Sequence, residues 1–380
     1  MELYLHIPFC VRKCRYCDFL SGPADASAME RYMDALREEV RERSRECEEY
    51  VVDTVFIGGG TPSVVPAERI ADLLKEIRSH YRLQENAEIS MELNPGTVDA
   101  EKLAVYRECG INRLSIGLQS ARDEELQRLG RIHNYAQFLE TYRLVREAGF
   151  SNVNVDLMSA LPGQTIATYE RTLQAVLGLV PPPEHISAYS LIVEEGTPFY
   201  QEAQNGTLDL PEEEEERQMY ELTGALLEEA GYCRYEISNY AKTGYECRHN
   251  CGYWKRTEYL GFGIGAASLW QEQRFSNTDQ IVVYLKDPLH AGMDAQQLSV
   301  EEQMEETMFL GLRMIQGVSA EEFLTCFGRT LEEVYGPVLQ KNIEDGLLER
   351  TFSRETEAVR YRLTPKGLDL SNYVMAQFML

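Results

Sequence analysis

Six short apolar runs, each followed by an amphipathic stretch, place the tightest limit on what this 380-residue chain can fold into. A strand that rejoins its sheet in parallel needs a crossover of a dozen or more residues, and the intervals here are long enough to be helices. The expected strands are residues 2–8, 53–57, 88–93, 113–118, 152–158 and 185–192, with helical patterns at 29–46, 67–80, 99–108, 136–148 and 169–179. Ser27-Ala-Met-Glu30 has the spacing of a capping box. Pro211 followed by five glutamates, 212–216, places a proline and carboxylates in the first turn of a later helix. Six units make an α/β fold with an incomplete, splayed (β/α)6 barrel rather than the closed eightfold one.

In β/α barrels the reactive groups gather at the carboxyl ends of the strands, and the unusual residues of this chain fall there. After strand one comes Cys10-Val-Arg-Lys-Cys14-Arg-Tyr-Cys17. A [4Fe–4S] cube takes four thiolates; this C-x3-C-x2-C loop supplies three and leaves one iron open to a small chelating ligand. The fitting ligand is S-adenosylmethionine (SAM), through its amino and carboxylate groups. A zinc knuckle or three unrelated buried thiols are the alternatives. Zinc prefers four ligands in paired C-x2-C or with histidines, and no second pair lies near Cys10–Cys17. After strand two, Gly58-Gly59-Gly60-Thr61-Pro62 lets backbone groups approach a ligand closely, although a glycine run by itself is usually only a tight turn. Glu92, Gln119 and Asp156 mark strands three, four and five.

These residues, with His6-Ile7-Pro8-Phe9 before Cys10, resemble the radical SAM superfamily, and within it the relatives of the oxygen-independent coproporphyrinogen III oxidases. The resemblance covers nearly the whole chain. It implies that Cys10, Cys14 and Cys17 ligate the cluster and that Tyr4, Gly59 and Glu92 contact the cluster-bound SAM. For a second SAM beside it, the matching positions are Tyr16, Gly60, Thr61, Gln119, Arg131 and Asp156. Carboxylates accept from ribose hydroxyls or ammonium, and an arginine fixes a carboxylate bidentately. A low-potential donor, not encoded here, would supply an electron if SAM is cleaved.

Two departures from the oxidase pattern bear on function. Phe19 stands where the oxidases carry a fourth cysteine, and only three residues precede Tyr4, where the oxidases have an extension that closes over the porphyrinogen. Both are features of the neighbouring heme chaperones of the HemW family. Arg248-His249-Asn250-Cys251-Gly252-Tyr253-Trp254 also matches their HNxxYW motif. Imidazole is a common axial ligand of heme iron, which makes His249 the expected ligand, with Tyr253 and Trp254 offering flat faces to a porphyrin. Cys247 and Cys251 flank it as alternative ligands or as small buried hydrophobes. A second family histidine, in a Gly-Ala-His-Ser context, has no counterpart in Gly265-Ala266-Ala267-Ser268. The resemblance therefore implies a heme chaperone that binds a cluster, SAM and heme and delivers heme to apoproteins such as respiratory enzymes. Radical decarboxylation of coproporphyrinogen propionates is the alternative.

Composition narrows the setting. Nine cysteines are too few for a disulfide scaffold at this length and an odd number cannot pair internally, so a reducing, cytoplasmic location is expected. No leader pattern opens the chain and no apolar run reaches the roughly 18 residues of a membrane span, so membrane contact is at most peripheral. A net charge of −25 opposes nucleic-acid binding. A homodimer is compatible with these features. Residues 1–235 are expected to form the partial barrel and 236–297 the HNxxYW segment and a connector, with a short strand at 281–285. From 298 to 380 the chain turns helical and charged, and is expected to form a small α+β winged-helix-like domain.

Overall fold

A computed structural model describes residues 1–292, 295–353 and 358–379. Six strands run parallel in the order of the chain: β1 (Glu2–Ile7), β2 (Val51–Gly59), β3 (Arg82–Leu93), β4 (Arg113–Gln119), β5 (Val153–Ser159) and β6 (His185–Ser190). Beyond β6 the sheet continues antiparallel with β8 (Asn239–Ala241) and then β7 (Cys233–Arg234). On the other side, β9 (Tyr259–Phe262) lies parallel to β1, followed by β10 (Ala267–Trp270), β11 (Gln273–Ser276) and β12 (Gln296–Gln297). Twelve strands thus form one curved, mostly parallel sheet. Among the described residues no ladder joins β7 to β12, so the barrel does not close.

The strand positions alternate in a way that decides the interior. Leu3, Leu5, Ile7, Val55, Ile57, Ile89, Met91, Leu114, Ile116, Val153, Val155 and Ile186 belong to the hydrophobic core. The intervening positions, Glu2, Thr54, Glu88, Ser90, Arg113, Ser115, Asn154 and His185, are buried polar groups on the opposite face. Several of them bond one another: Asn154 donates to Ser115 Oγ at 2.7 Å, and Asn154 Oδ1 bonds His185 Nδ1 at 2.6 Å. The barrel is therefore apolar outside, under its helices, and polar inside. A second core, with Met308, Phe323, Leu331, Tyr335 and Phe378, underlies a three-stranded antiparallel sheet of β13 (Val318–Ser319), β15 (Ala358–Leu363) and β14 (Leu348–Ser353). No helix among the described residues is long and apolar enough to cross a membrane.

Three local expectations are corrected. The first helix begins at Ala26 and is capped by Asp25, whose Oδ1 accepts from the Ala28 N–H at 2.8 Å; Ser27 lies within the first turn and accepts from Arg31. The expected box failed because a better acceptor stood two residues earlier. Asp25→Ala is accordingly expected to lower unfolding free energy by about 1 kcal/mol and Ser27→Ala by under about 0.5 kcal/mol, measured by denaturant titration. Pro211 lies outside its helix, Glu213–Glu229, which starts after an N-cap Glu212 and keeps four glutamates in its first turn. The segment expected as a strand at 281–285 is a helical turn, Ile281–Tyr284, anchored by the Tyr284 hydroxyl donating to the buried Glu39 carboxylate at 2.7 Å.

Candidate functional site

At the carboxyl ends of the parallel strands a cavity of about 300 Å³ is lined by Cys10, Cys14, Cys17, Tyr16, Gly59, Gly60, Glu92, Gln119, Arg131 and Asp156. The three thiols are unpaired and half-buried. Burial pushes the Cys17 thiol up, and its neighbours Cys14 and Cys10 push in the same direction while the Phe19 backbone and Lys13 oppose them. Among the described residues no three His, Cys, Asp or Glu side chains converge tightly enough to hold a single metal ion. Three thiols spread around one cavity instead suit a multi-iron cluster.

The glycines after β2 are there because the cysteine loop passes against them. A Cβ on Gly60 would stand 2.7 Å from the Phe9 carbonyl oxygen, and the Gly60 N–H donates to Ile7 O at 2.8 Å. Gly59 has φ +108°, and a side chain there would strike the His6 ring. Its N–H donates to Glu92 Oε2 at 3.0 Å. Burial, then the neighbouring Asp156, pushes the Glu92 carboxyl up to about 7, with the Gly59 N–H and Arg113 acting the other way. Asp156 is raised by burial, opposed by hydrogen bonds from Asn154 at 2.7 Å and Ser115 at 3.1 Å.

Arg131 ties several parts together. Nη1 donates to Cys14 Sγ at 3.7 Å and Nη2 to Asn94 Oδ1 and the Gly117 carbonyl, while Nε is buried without a partner. Thr61 reaches the same group from below: its Oγ1 accepts from Asn94 Nδ2 at 2.7 Å and lies 3.4 Å from Cys10 Sγ. Gln119 adopts φ +70° at the end of β4 and accepts from the Tyr189 hydroxyl at 3.1 Å. Asn94 and Tyr189 were not singled out from sequence. Asn94 was legible two residues after Glu92 at the same strand end; Tyr189 on β6 carried no comparable signal. The half-buried arginine, two carboxylates and the glycine turn beside three thiols fit a cluster with SAM.

Besides Thr61, which is buried behind the cavity, two expected site residues do not line it. Tyr4 packs beneath it, its hydroxyl donating to His6 Nδ1 at 3.1 Å, since His6 Nε2–H is donated to Leu20 O at 2.9 Å. His249 belongs to the helix Arg248–Trp254, which plugs the amino-terminal ends of β1–β3. It is 1% exposed, shares a 2.7 Å hydrogen bond with Thr54 through Nδ1, and packs against Phe56, Tyr253 and Tyr4. Its Nε2 has no hydrogen-bond partner. Burial, then Arg113, pushes it down to about 3, so it is neutral. Tyr253 is sandwiched between His249 and Tyr259, and the Trp254 ring carries the Arg313 guanidinium at 4.2 Å. Cys247 is buried, with its Sγ 3.6 Å from Glu88 Oε1, whereas Cys251 lines a second cavity, of about 660 Å³.

Comparison with known proteins agrees with this arrangement. Residues 4–176 match the radical SAM superfamily and residues 298–370 the HemN C-terminal domain. The chain is 38% identical to the heme chaperone HemW of Bacillus subtilis over 99% of its own length and 98% of that protein's. It is 33% identical to the Escherichia coli heme chaperone HemW over 100% and 98%. Its fold is similar to the E. coli coproporphyrinogen III oxidase HemN, a radical SAM enzyme, with a TM-score of 0.84 at 22% identity, covering 100% of this chain and 89% of that one. The chain belongs to the radical SAM superfamily, in the oxygen-independent coproporphyrinogen III oxidase-like family and its heme chaperone HemW branch.

Proposed function

We propose that the protein holds a [4Fe–4S] cluster on Cys10, Cys14 and Cys17, binds SAM in the adjoining cavity, and carries heme to apoproteins such as respiratory enzymes. In this reading it acts in the cytoplasm, with membrane contact at most peripheral. Residues 1–235 carry the cluster chemistry, 236–297 the HNxxYW helix and connector, and 298–380 a small appended domain. A cluster of this kind supplies one-electron reductive cleavage of the SAM sulfonium when a low-potential donor is present.

The chain's own residues do the rest. Gly59 and Gly60 line the cavity without side chains that would fill it, and Arg131 offers a guanidinium to a carboxylate. Asp156, held by Asn154 and Ser115, keeps its remaining acceptor capacity for ribose hydroxyls. The observation that carries the chaperone reading is similarity to heme chaperones over the full chain. Phe19, 59% exposed at the cavity mouth in place of the oxidases' fourth cysteine, supports it.

The test is anaerobic: reconstitute the cluster, titrate with heme, and assay coproporphyrinogen III decarboxylation in parallel. The expected result is about one retained heme per chain and no vinyl product. Product formation without stable heme binding would assign the protein to the oxidases instead.

A further inference from the structure

A row of buried polar side chains crosses the barrel interior from the second cavity, which Tyr235 lines, to the cluster cavity, which Asp156 lines. The strand register sets it up. Ser115 on β4, Asn154 on β5 and His185 on β6 are direct neighbours across the sheet. Asp156, two residues beyond Asn154, shares their inward face. Asn154 and His185 are 2% and 0% exposed, so each must find its hydrogen bonds within the protein. Tyr235, directly after β7, ends the row on the side of the second cavity.

The protons of this row can be placed in one way. The Asn154 oxygen cannot face the Asp156 carboxylate, so the amide nitrogen does, giving its protons to Asp156 Oδ1 and Ser115 Oγ, both at 2.7 Å. The amide oxygen is then an acceptor, and His185 Nδ1, 2.6 Å away, must carry a proton to meet it. Ser187 Oγ donates to the same oxygen at 3.2 Å. Burial, then the Arg113 guanidinium, pushes His185 well below the usual imidazole range, so the ring is neutral and Nε2 is a bare acceptor. The Tyr235 hydroxyl donates to it at 2.8 Å and accepts from the Cys247 N–H at 3.3 Å, at the N-cap of the HNxxYW helix. From Cys247 onward each group thus donates towards Asp156, whose second oxygen accepts from Ser115 Oγ at 3.1 Å. Hydrogen bonds aligned in one direction polarise and strengthen one another.

Resting on the reading above that this carboxylate serves SAM, we infer that His185 and Tyr235 are positioning residues of the SAM site: acting through Asn154, they hold the Asp156 carboxylate in place and tie it to the HNxxYW helix at the far end of the barrel. With Asn154 on one oxygen and Ser115 on the other, the carboxylate cannot turn without breaking a bond. Without the His185 Nδ1–H, the Asn154 amide is free to turn end for end. That would set its oxygen against the carboxylate, which repels it.

The experiment measures SAM affinity of the cluster-loaded protein by anaerobic equilibrium dialysis for the parent, Asp156→Asn, His185→Phe, His185→Asn, Tyr235→Phe and the double variant Asp156→Asn/His185→Phe. Asparagine at 185 keeps an amide donor near the position of Nδ1, and phenylalanine removes it. Asp156→Asn should bind SAM at least tenfold more weakly and His185→Phe about fivefold, with His185→Asn within about twofold of the parent. In the Asp156→Asn background, His185→Phe should cost less than about twofold more, because a residue that acts through Asp156 then has nothing to act on. In ¹⁵N-histidine NMR spectra the signal lost in His185→Asn should report a protonated Nδ1 in the parent and move towards the Nε2–H form in Tyr235→Phe. A full fivefold loss in the double variant, or no rescue by His185→Asn, makes the residue merely structural and overturns the inference. An Nε2-protonated His185 in the parent also overturns it. If His185→Phe does not fold, Tyr235→Phe decides: parent-like affinity with an unchanged tautomer overturns the relay. Parent-like SAM binding by Asp156→Asn, or no SAM binding by the parent, overturns the SAM reading instead.

Discussion

Alanine in place of Cys10, Cys14 or Cys17 is expected to abolish the iron–sulfur centre without unfolding the chain. After anaerobic reconstitution, bound iron should drop from about four atoms per chain to a small fraction of that, with loss of the visible charge-transfer absorbance, because a cube left with two protein thiolates is not retained. The fold should be indifferent. All three thiols are half-buried and unpaired, and the contacts they do make, Cys10 with Thr61 at 3.4 Å and Cys14 with Arg131 at 3.7 Å, are weak sulfur hydrogen bonds. Losses of this kind are worth about 0.5 kcal/mol or less, a shift of at most about 2 °C in the apoprotein's melting temperature. A variant that keeps stoichiometric iron would move the cluster to other ligands. A melting temperature lower by ten degrees or so would make these thiols structural, since no single lost sulfur contact explains it.

Glu92→Gln is expected to separate binding from stability. In the native protein the Glu92 carboxyl is held up at about 7 by burial and by Asp156, against 4.5 for the free group. Between those two values the folded state binds more protons than the unfolded one, so stability falls as pH rises through the window and stays lowered above it. A displacement of this size corresponds to at most roughly 3 kcal/mol, and to less for a carboxyl that, like Glu92, is only partly enclosed. Glutamine keeps the shape and the acceptor for the Gly59 N–H but cannot ionise. The variant's apoprotein should therefore melt several degrees higher than the parent at pH 8 and about the same at pH 5. SAM binding to the cluster-loaded protein should weaken at least tenfold, because the acceptor for its ammonium loses its charge. An equal gain in melting temperature at both pH values would show that the carboxylate's charge is not the cause. Unchanged SAM affinity would remove Glu92 from the ligand's contacts.

Most residues of the cluster cavity were legible because they follow a local rule, lying at or just past the carboxyl end of a strand; Arg131, beyond the helix Asp123–Leu129, came only from the family resemblance. The strand can be read from its own apolar residues, and the loop after it from its glycines and cysteines. The polar interior was not legible in the same way. Runs such as Arg113–Gln119 read as apolar because their outward positions, Leu114, Ile116 and Leu118, dominate. Arg113 and Ser115 belong to a buried network only once neighbouring strands bring Glu88, Asn154 and Asp156 alongside. The C-terminal segment illustrates the same division. Its acidic run, 301–306, marked a helix, and Val300–Gly311 is one, but nothing local showed that Glu306 would accept from both Arg256 and Arg274 and so bind that helix to the barrel's edge.

By itself the sequence determined the repeated β/α plan, the three-thiol loop and the strand ends that surround it, because spacing along one chain is sufficient to specify periodicity and local turns. Only the tertiary structure decided how the HNxxYW segment is packed. A seven-residue helix shows nothing in its own sequence of which face will be enclosed. Here Thr54, Phe56 and Glu88, which are 195, 193 and 161 residues from His249 along the chain, enclose the imidazole and leave Cys251 facing a cavity. Burial is set by what packs against a group from elsewhere in the chain, and that is why the 1% exposure of His249 could not be read from the segment itself.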